Sequence, residues 1–238
     1  MRFYLVARYD RQPLMFFHIC ALLLTLSVIP GSPVYADLMD DYLSLPGSYR
    51  FVRRAPEGAT ENRVLVTVFE DFLCPSCYHM VTELLPKIQK KYQDRLAVQF
   101  FAYPLVHAES ILPARAHAIA QTMGLGEQMQ QALFRAHFEE QIDTTNRSGL
   151  ARVAHSIGLD PDLLLSRLDK GEGKAEIEKN LTLGQTYRLD AVPSLVFDGW
   201  IMAKDLTQEN LEKIIDGLLA RKGGAAKKGP KTGQSKKK

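Results

Sequence analysis

Apolar residues in this chain change spacing several times, and the changes outline its elements. Residues 63–69 (RVLVTVF) and 96–103 are nearly continuous apolar runs rich in β-branched and aromatic side chains, the pattern of buried strands. Between them Val81, Leu84, Leu85, Ile88 and Tyr92 recur at helical spacing. Pro75 suits the first turn of that helix, where a missing N–H costs nothing. Pro86 is expected to kink the helix or divide it. Strand, helix and strand within about forty residues predict a βαβ unit with a right-handed crossover.

From residue 107 to 189 the helical period persists. Helices are predicted over 109–123, 126–140, 148–157, 161–168 and 174–187, punctuated by Gly124, Gly126, Gly158, Gly171 and Gly173. Asp160-Pro161 reads as an N-cap followed by a first-turn proline. Strand character returns at 194–197 and 200–202, and the Asp198-Gly199 between them is a hairpin signal. Residues 206–220 form a last amphipathic helix with Thr207 as its N-cap. A short edge strand is expected at 49–53. The order predicts an α/β fold interrupted by an all-helical insertion.

Composition adds boundaries. The chain has 238 residues, 46% hydrophobic and 24% charged, values of an ordinary globular protein. Collagen, coiled coil, a polytopic membrane protein and a wholly disordered chain are excluded. The formal net charge of +3 is not evenly spread. Residues 221–238 carry a net of +8 and residues 1–36 a net of +2, leaving a net of −7 over 37–220. An acidic body argues against a nucleic-acid partner. The Lys-rich tail, 221–238, cannot bury enough apolar surface to offset its ordering entropy and is expected to be disordered. It reads as a solubilising tail, or as a loose contact with an anionic envelope surface.

Residues 1–36 have the form of a secretory signal peptide. Arg2, Arg8 and Arg11 precede the apolar run 14–28, and Val34-Tyr35-Ala36 offers a cleavage site near Ala36. Met15 is an alternative start. Cleavage would remove Cys20 and leave Cys74 and Cys77 as the cysteines of the mature chain.

Those two are separated by two residues, at a strand-to-helix junction. A ring so small is a poor staple, because loop-closure stabilisation grows with loop length. The spacing suits chemistry instead. Cys74 falls at a helix N-terminus, where free N–H groups favour a thiolate. Cys77 follows about one turn on, able to resolve a mixed disulfide made by Cys74. Zinc would need four ligands, and the six histidines show no ligand pair at finger spacing. Covalent haem would need C-x-x-C-H, but Tyr78 follows Cys77. An inert pair is the remaining alternative.

With Cys74-Pro75-Ser76-Cys77 after a buried strand, a helical insertion, and Val192-Pro193 opening a late strand, the chain resembles the DsbA family of thioredoxin-fold thiol–disulfide oxidoreductases. The likeness covers roughly residues 60–220. It implies a thioredoxin-like fold in two parts, 61–106 and 190–220, around an inserted helical domain, 107–189, preceded by an N-terminal segment, 37–60. It implies a cis bond before Pro193, backbone pairing of substrate beside Val192, and a redox-active Cys74–Cys77 disulfide working without cofactor or metal. It further implies a periplasmic protein that oxidises unfolded exported polypeptides with free thiols and is reoxidised by a quinone-linked membrane oxidase. An isomerase or reductase and a non-enzymatic peptide-binding chaperone are the rival readings.

Two departures from the family pattern stand out. Ser76 occupies the position where relatives commonly have histidine, so the Cys74 thiol is expected to be less acidic than in the founding member. Val68 stands where relatives often carry a buried acid, six residues before the first cysteine. Glu70 and Asp71 lie nearer the dithiol, as proton relays or as loop acids. Phe72 and Leu73 are expected to form an apolar rim. His79 and Trp200 read as surface and packing residues.

Overall fold

The computed structural model describes residues 45–54, 56 and 62–225. The expected signal peptide, the cleavage site near Ala36, much of the 37–60 segment and the tail beyond 225 lie outside the described residues. A five-stranded sheet of order β1-β5-β4-β2-β3 forms the frame. Its strands are β1 (Tyr49–Phe51), β2 (Val64–Glu70), β3 (Leu96–Ala102), β4 (Ser194–Phe197) and β5 (Ile201–Ala203). β2 and β3 run parallel, with Val64 opposite Leu96 and Glu70 opposite Ala102. β4 lies antiparallel to β2 and β5, and β1 is antiparallel to β5. The α/β arrangement expected from the chain order is thus present, in the thioredoxin-like form that the family resemblance implies. β2 has a neighbour on each side and is almost wholly buried. β3 was expected to be equally buried. It is half-buried over its middle five residues, because it is an edge strand with β2 alone beside it.

The helix after β2 is divided where Pro86 predicts. α1 (Pro75–His79) passes into a π-helical turn (Met80–Leu84), and α2 (Leu85–Tyr92) restarts with Pro86 in its first turn. Proline lacks the N–H that a continuous α-helix needs there, and the wider turn accommodates that gap. The insertion supplies α3 (Ile111–Thr122), α4 (Gly126–Phe138), α5 (Arg147–Ser156), α6 (Pro161–Asp169) and α7 (Lys174–Tyr187). Asp160 caps α6 by accepting from the Asp162 N–H at 2.9 Å. α7 packs so closely on Tyr103 that a Cβ at Gly184 would sit 2.2 Å from its ring.

The insertion and the strand-to-helix junction share one apolar core. Phe72, Cys74, Cys77 and Ala102 are buried with Ile119, Leu133, Phe134 and Leu150. The hairpin turns at Asp198 and Gly199, both with positive φ (46° and 71°), closed by the Trp200 N–H on the Phe197 carbonyl at 3.1 Å. Asp and Gly are the residues that tolerate those angles. Asp198 also ties the hairpin to β2, donating its N–H to the Leu65 carbonyl and accepting from the Leu65 N–H through Oδ1. The last helix, α8 (Gln208–Ala225), runs past the Ala220 end that apolar periodicity predicts. Lys222, assigned to the tail by composition, is 3.0 Å from the buried Asp198 carboxylate and donates to the Arg63 carbonyl. A buried charge pair, which periodicity cannot register, carries the helix onward.

Candidate active site

The centre of the site is the junction between β2 and α1. Cys74 is the N-cap of α1, with extended backbone (φ −91°, ψ 116°) and Pro75 in the first turn. The Cys77 N–H points at the Cys74 sulfur, 3.4 Å away. The Cys77 sulfur lies 3.4 Å from the Asp71 N–H and is wholly buried. Both cysteines are in the thiol state.

Their environments drive the two thiols apart. A hydrogen bond from the Cys77 thiol, helped by the Cys77 and Ser76 N–H groups, brings Cys74 from 9.0 down to about 6 against burial and the Asp71 charge. Burial pushes Cys77 far up, and the neighbouring Cys74 and Glu70 push the same way. One sulfur is thus a thiolate at neutral pH and the other a protonated reserve, the division of roles that a dithiol nucleophile needs. No histidine contributes; Ser76 acts through its backbone alone. The alkylation rate of Cys74 by iodoacetamide should accordingly rise through a midpoint near pH 6, well below that of an ordinary thiol, while Cys77 stays unmodified in the folded protein.

Val192-Pro193 is a cis peptide. The Cys74 sulfur is 3.6 Å from the Val192 carbonyl, so the dithiol and the late strand's entrance meet although 118 residues separate them. Pro75, Ser76, His79, Met80, Leu84, Pro193 and Leu206 line an open, largely apolar groove of about 460 Å³. Phe72 and Leu73 were expected to form that apolar rim. Both are instead buried; Phe72 packs on His117 and Phe134 of the insertion, each with ring centroids 5.2 Å apart. His79 lines the groove and pairs with exposed Glu83 at 2.9 Å.

Glu70 and Asp71 turn out to differ. Asp71 accepts from the Leu73 N–H through Oδ1, and from the Leu105 and Val106 N–H groups through Oδ2, all at 2.8 Å. It pins the Cys74 loop to the segment after β3. Glu70 is fully buried, with Gln130 Nε2 of α4 donating to its Oε1 at 2.6 Å and no partner on Oε2. Burial lifts its carboxyl from 4.5 to about 8, against the opposing effect of the Gln130 bond. Val68 is buried apolar packing. Gln130 was missed in the sequence. Its signal was a polar side chain at the inward position that Leu133 and Phe134 mark on the same helix. Tyr78 was also missed: it stacks on Phe138 at 4.9 Å and donates to Glu139, fastening α1 to α4. Among the described residues no three His, Cys, Asp or Glu side chains gather as a metal site.

A family model described as thioredoxin matches residues 55–217. The chain belongs to the thioredoxin family. It is similar to disulfide bond formation protein D of Bacillus subtilis, 27% identical over 175 residues, spanning 67% of this chain and 76% of that protein. The thiol:disulfide interchange protein DsbA of Pseudomonas aeruginosa is 25% identical over 162 residues, 65% of this chain and 74% of that one. Among solved structures, the oxidoreductase DsbA of Xylella fastidiosa shares the fold at a TM-score of 0.64 and 19% identity, covering 76% of this chain and 99% of that chain. This thioredoxin-family protein is a DsbA-like thiol:disulfide oxidoreductase, an enzyme of dithiol–disulfide exchange.

Proposed function

We propose that this oxidoreductase is exported to the periplasm and introduces disulfide bonds into other exported polypeptides through the Cys74–Cys77 pair. The observation that carries the direction is the acidic Cys74 thiol, brought down to about 6 by its neighbours. Whatever stabilises the reduced thiolate makes the disulfide the stronger oxidant. The signal-like pattern of residues 1–36 supports export. A membrane oxidase linked to quinone would restore the disulfide, and the Lys-rich tail would add a weak contact with the anionic envelope.

The exchange proceeds in two displacements. A client thiolate attacks the Cys74 sulfur; the Cys74–Cys77 bond breaks and Cys77 leaves with the electron pair. A second client thiolate then attacks the client sulfur of the mixed disulfide. The client disulfide forms and Cys74 departs as a thiolate. The client has lost two electrons and the enzyme has gained them. Val192 presents its backbone, and the groove beside Pro193 receives apolar client side chains.

Cys77 leaves as a thiolate in a buried site that disfavours charge, so it needs a proton at once. Glu70 is suited to supply it: its carboxyl is protonated at neutral pH, has an oxygen without a partner, and is close enough to shift the Cys77 thiol. In the reverse direction the Glu70 carboxylate would accept that proton. A Glu70→Gln variant should slow the steps that use Cys77 by about tenfold to a hundredfold, with attack at Cys74 little changed. Stopped-flow oxidation and reduction of the wild-type protein and this variant would separate these steps.

The same substitution alters stability of the reduced protein in a defined window. Glu70 is protonated when folded and ionised when unfolded between 4.5 and about 8, so its contribution falls as pH rises across that range. Cys74 is ionised when folded and neutral when unfolded between about 6 and 9.0, so its contribution rises. The two oppose each other from about 6 to 8; Glu70→Gln should expose a rise in stability with pH there.

The functional assignment is tested by the state of the pair in cells, quenched with acid and alkylated. A mostly oxidised Cys74–Cys77 pair is the expected result. A mostly reduced pair would favour an isomerase or reductase.

A further inference from the structure

A cationic cleft opens where β1 meets the end of α7. It has a volume of about 340 Å³, and its lining includes Arg50, Val52, Arg53, Arg54, Tyr187 and Arg188. No acidic side chain lines it among the described residues. Arg50 is built in: its Nη2 donates to the carbonyls of Tyr187 at 3.0 Å and Arg188 at 2.8 Å, ending α7. The Arg53 guanidinium lies over the Tyr187 ring, 5.2 Å from its centroid. Arg54 and Arg188 are exposed. Several guanidinium groups around one cleft form a donor fork array suited to carboxylate recognition. The array stands out against a body whose net charge is −7 over residues 37–220.

Its position relative to the dithiol is what suggests an occupant. Val52 and Tyr187 pack in the same apolar cluster as Val192. Arg188 and Val192 are four residues apart, so their Cα atoms lie within about 14 Å. The Val192 carbonyl in turn lies 3.6 Å from the Cys74 sulfur. An extended client chain with its cysteine at Cys74 advances about 3.3 Å per residue, so a residue roughly four positions away covers the span to Arg188 on the near side of the cleft, with Arg53 and Arg54 on its far side, past Phe51 opposite Ile201.

We propose that this cleft binds an acidic side chain of the client, about four residues from the reacting cysteine, and so selects among thiol-bearing segments by charge. The inference rests on the reading of the protein as an oxidant of polypeptide thiols and specifies which segments it prefers. Two-cysteine peptides, carrying either glutamate or glutamine four residues to one side or the other of the first cysteine, provide the test. Each turnover converts the two peptide thiols to a disulfide and the enzyme disulfide to a dithiol, which added oxidised glutathione returns to the disulfide as it is reduced to two glutathione thiols.

With the wild-type enzyme at low ionic strength, kcat/KM for one of the glutamate peptides should exceed that of its glutamine partner by about fivefold, and high salt should shrink the ratio. In R54Q/R188N the ratio should fall to near one while the glutamine peptide reacts as before. Asparagine suits position 188, whose φ is 54°. Equal rates for all peptides with the wild type, or a preference that survives in R54Q/R188N, would overturn the proposal. Equilibrium binding of the same peptides with serine in place of cysteine separates this inference from the redox assignment. A charge preference in binding that the double variant loses supports the cleft even if no peptide is oxidised; no turnover of any peptide would instead refute the oxidant reading.

Discussion

A Cys74→Ala variant loses dithiol–disulfide exchange with peptide substrates by on the order of 10³-fold or more, with its fold intact. Cys74 holds the sulfur that is a thiolate at neutral pH, and it is the one beside the Val192 carbonyl. Cys77 is wholly buried and held in its protonated form, so it cannot substitute as the entry point. The companion variant, Cys77→Ala, separates entry from resolution. Its Cys74 thiolate still attacks glutathione disulfide, forming a Cys74–glutathione mixed disulfide and releasing one glutathione. With no second sulfur to displace it, that adduct persists. Intact-mass measurement should show the adduct accumulating in Cys77→Ala and absent in Cys74→Ala. An adduct in Cys74→Ala, or full activity without Cys74, would remove the dithiol from the mechanism.

Asp71→Ala should be among the most destabilising single changes at the site, by about 3–5 kcal/mol. The carboxylate is 1% exposed. It accepts from three backbone N–H groups, those of Leu73, Leu105 and Val106. Alanine leaves these donors without the charged acceptor that joins the loop before Cys74 to the segment after β3. Set against the roughly 5–15 kcal/mol that holds a typical domain folded, the loss is a large fraction. Chemical denaturation of the reduced and oxidised forms measures it. Asp71→Asn, which keeps one oxygen acceptor, should recover part of the loss. A near-neutral Asp71→Ala would mean that water replaces the carboxylate.

The two acids beside the dithiol look alike in the sequence and act differently in the fold. Asp71 faces backbone donors and is saturated by them, whereas the next-door Glu70 on β2 is turned toward α4, where it finds a single amide. Strand alternation says that neighbours point opposite ways, but not what each will meet. Gln130 lies 60 residues away from Glu70 and Tyr187 lies 137 residues from Arg50. No local pattern encodes such partners. For Phe72 the same reason applies: an aromatic residue next to a reactive cysteine suggests a substrate rim, but the insertion covers it.

Spacing and residue type alone determined the dithiol, the strands on either side of it, the helical insertion, the Asp198-Gly199 turn and the division of the helix at Pro86. Each depends on interactions within a few residues: backbone angles, helical and strand periods, a missing N–H. Tertiary structure decided how far the two thiols are driven apart, which acid is buried without a full set of partners, how far α8 runs, and where the arginines of β1 and α7 converge. Those outcomes depend on desolvation and on charges brought together from distant parts of the chain, and burial is a property of the packed molecule rather than of any segment.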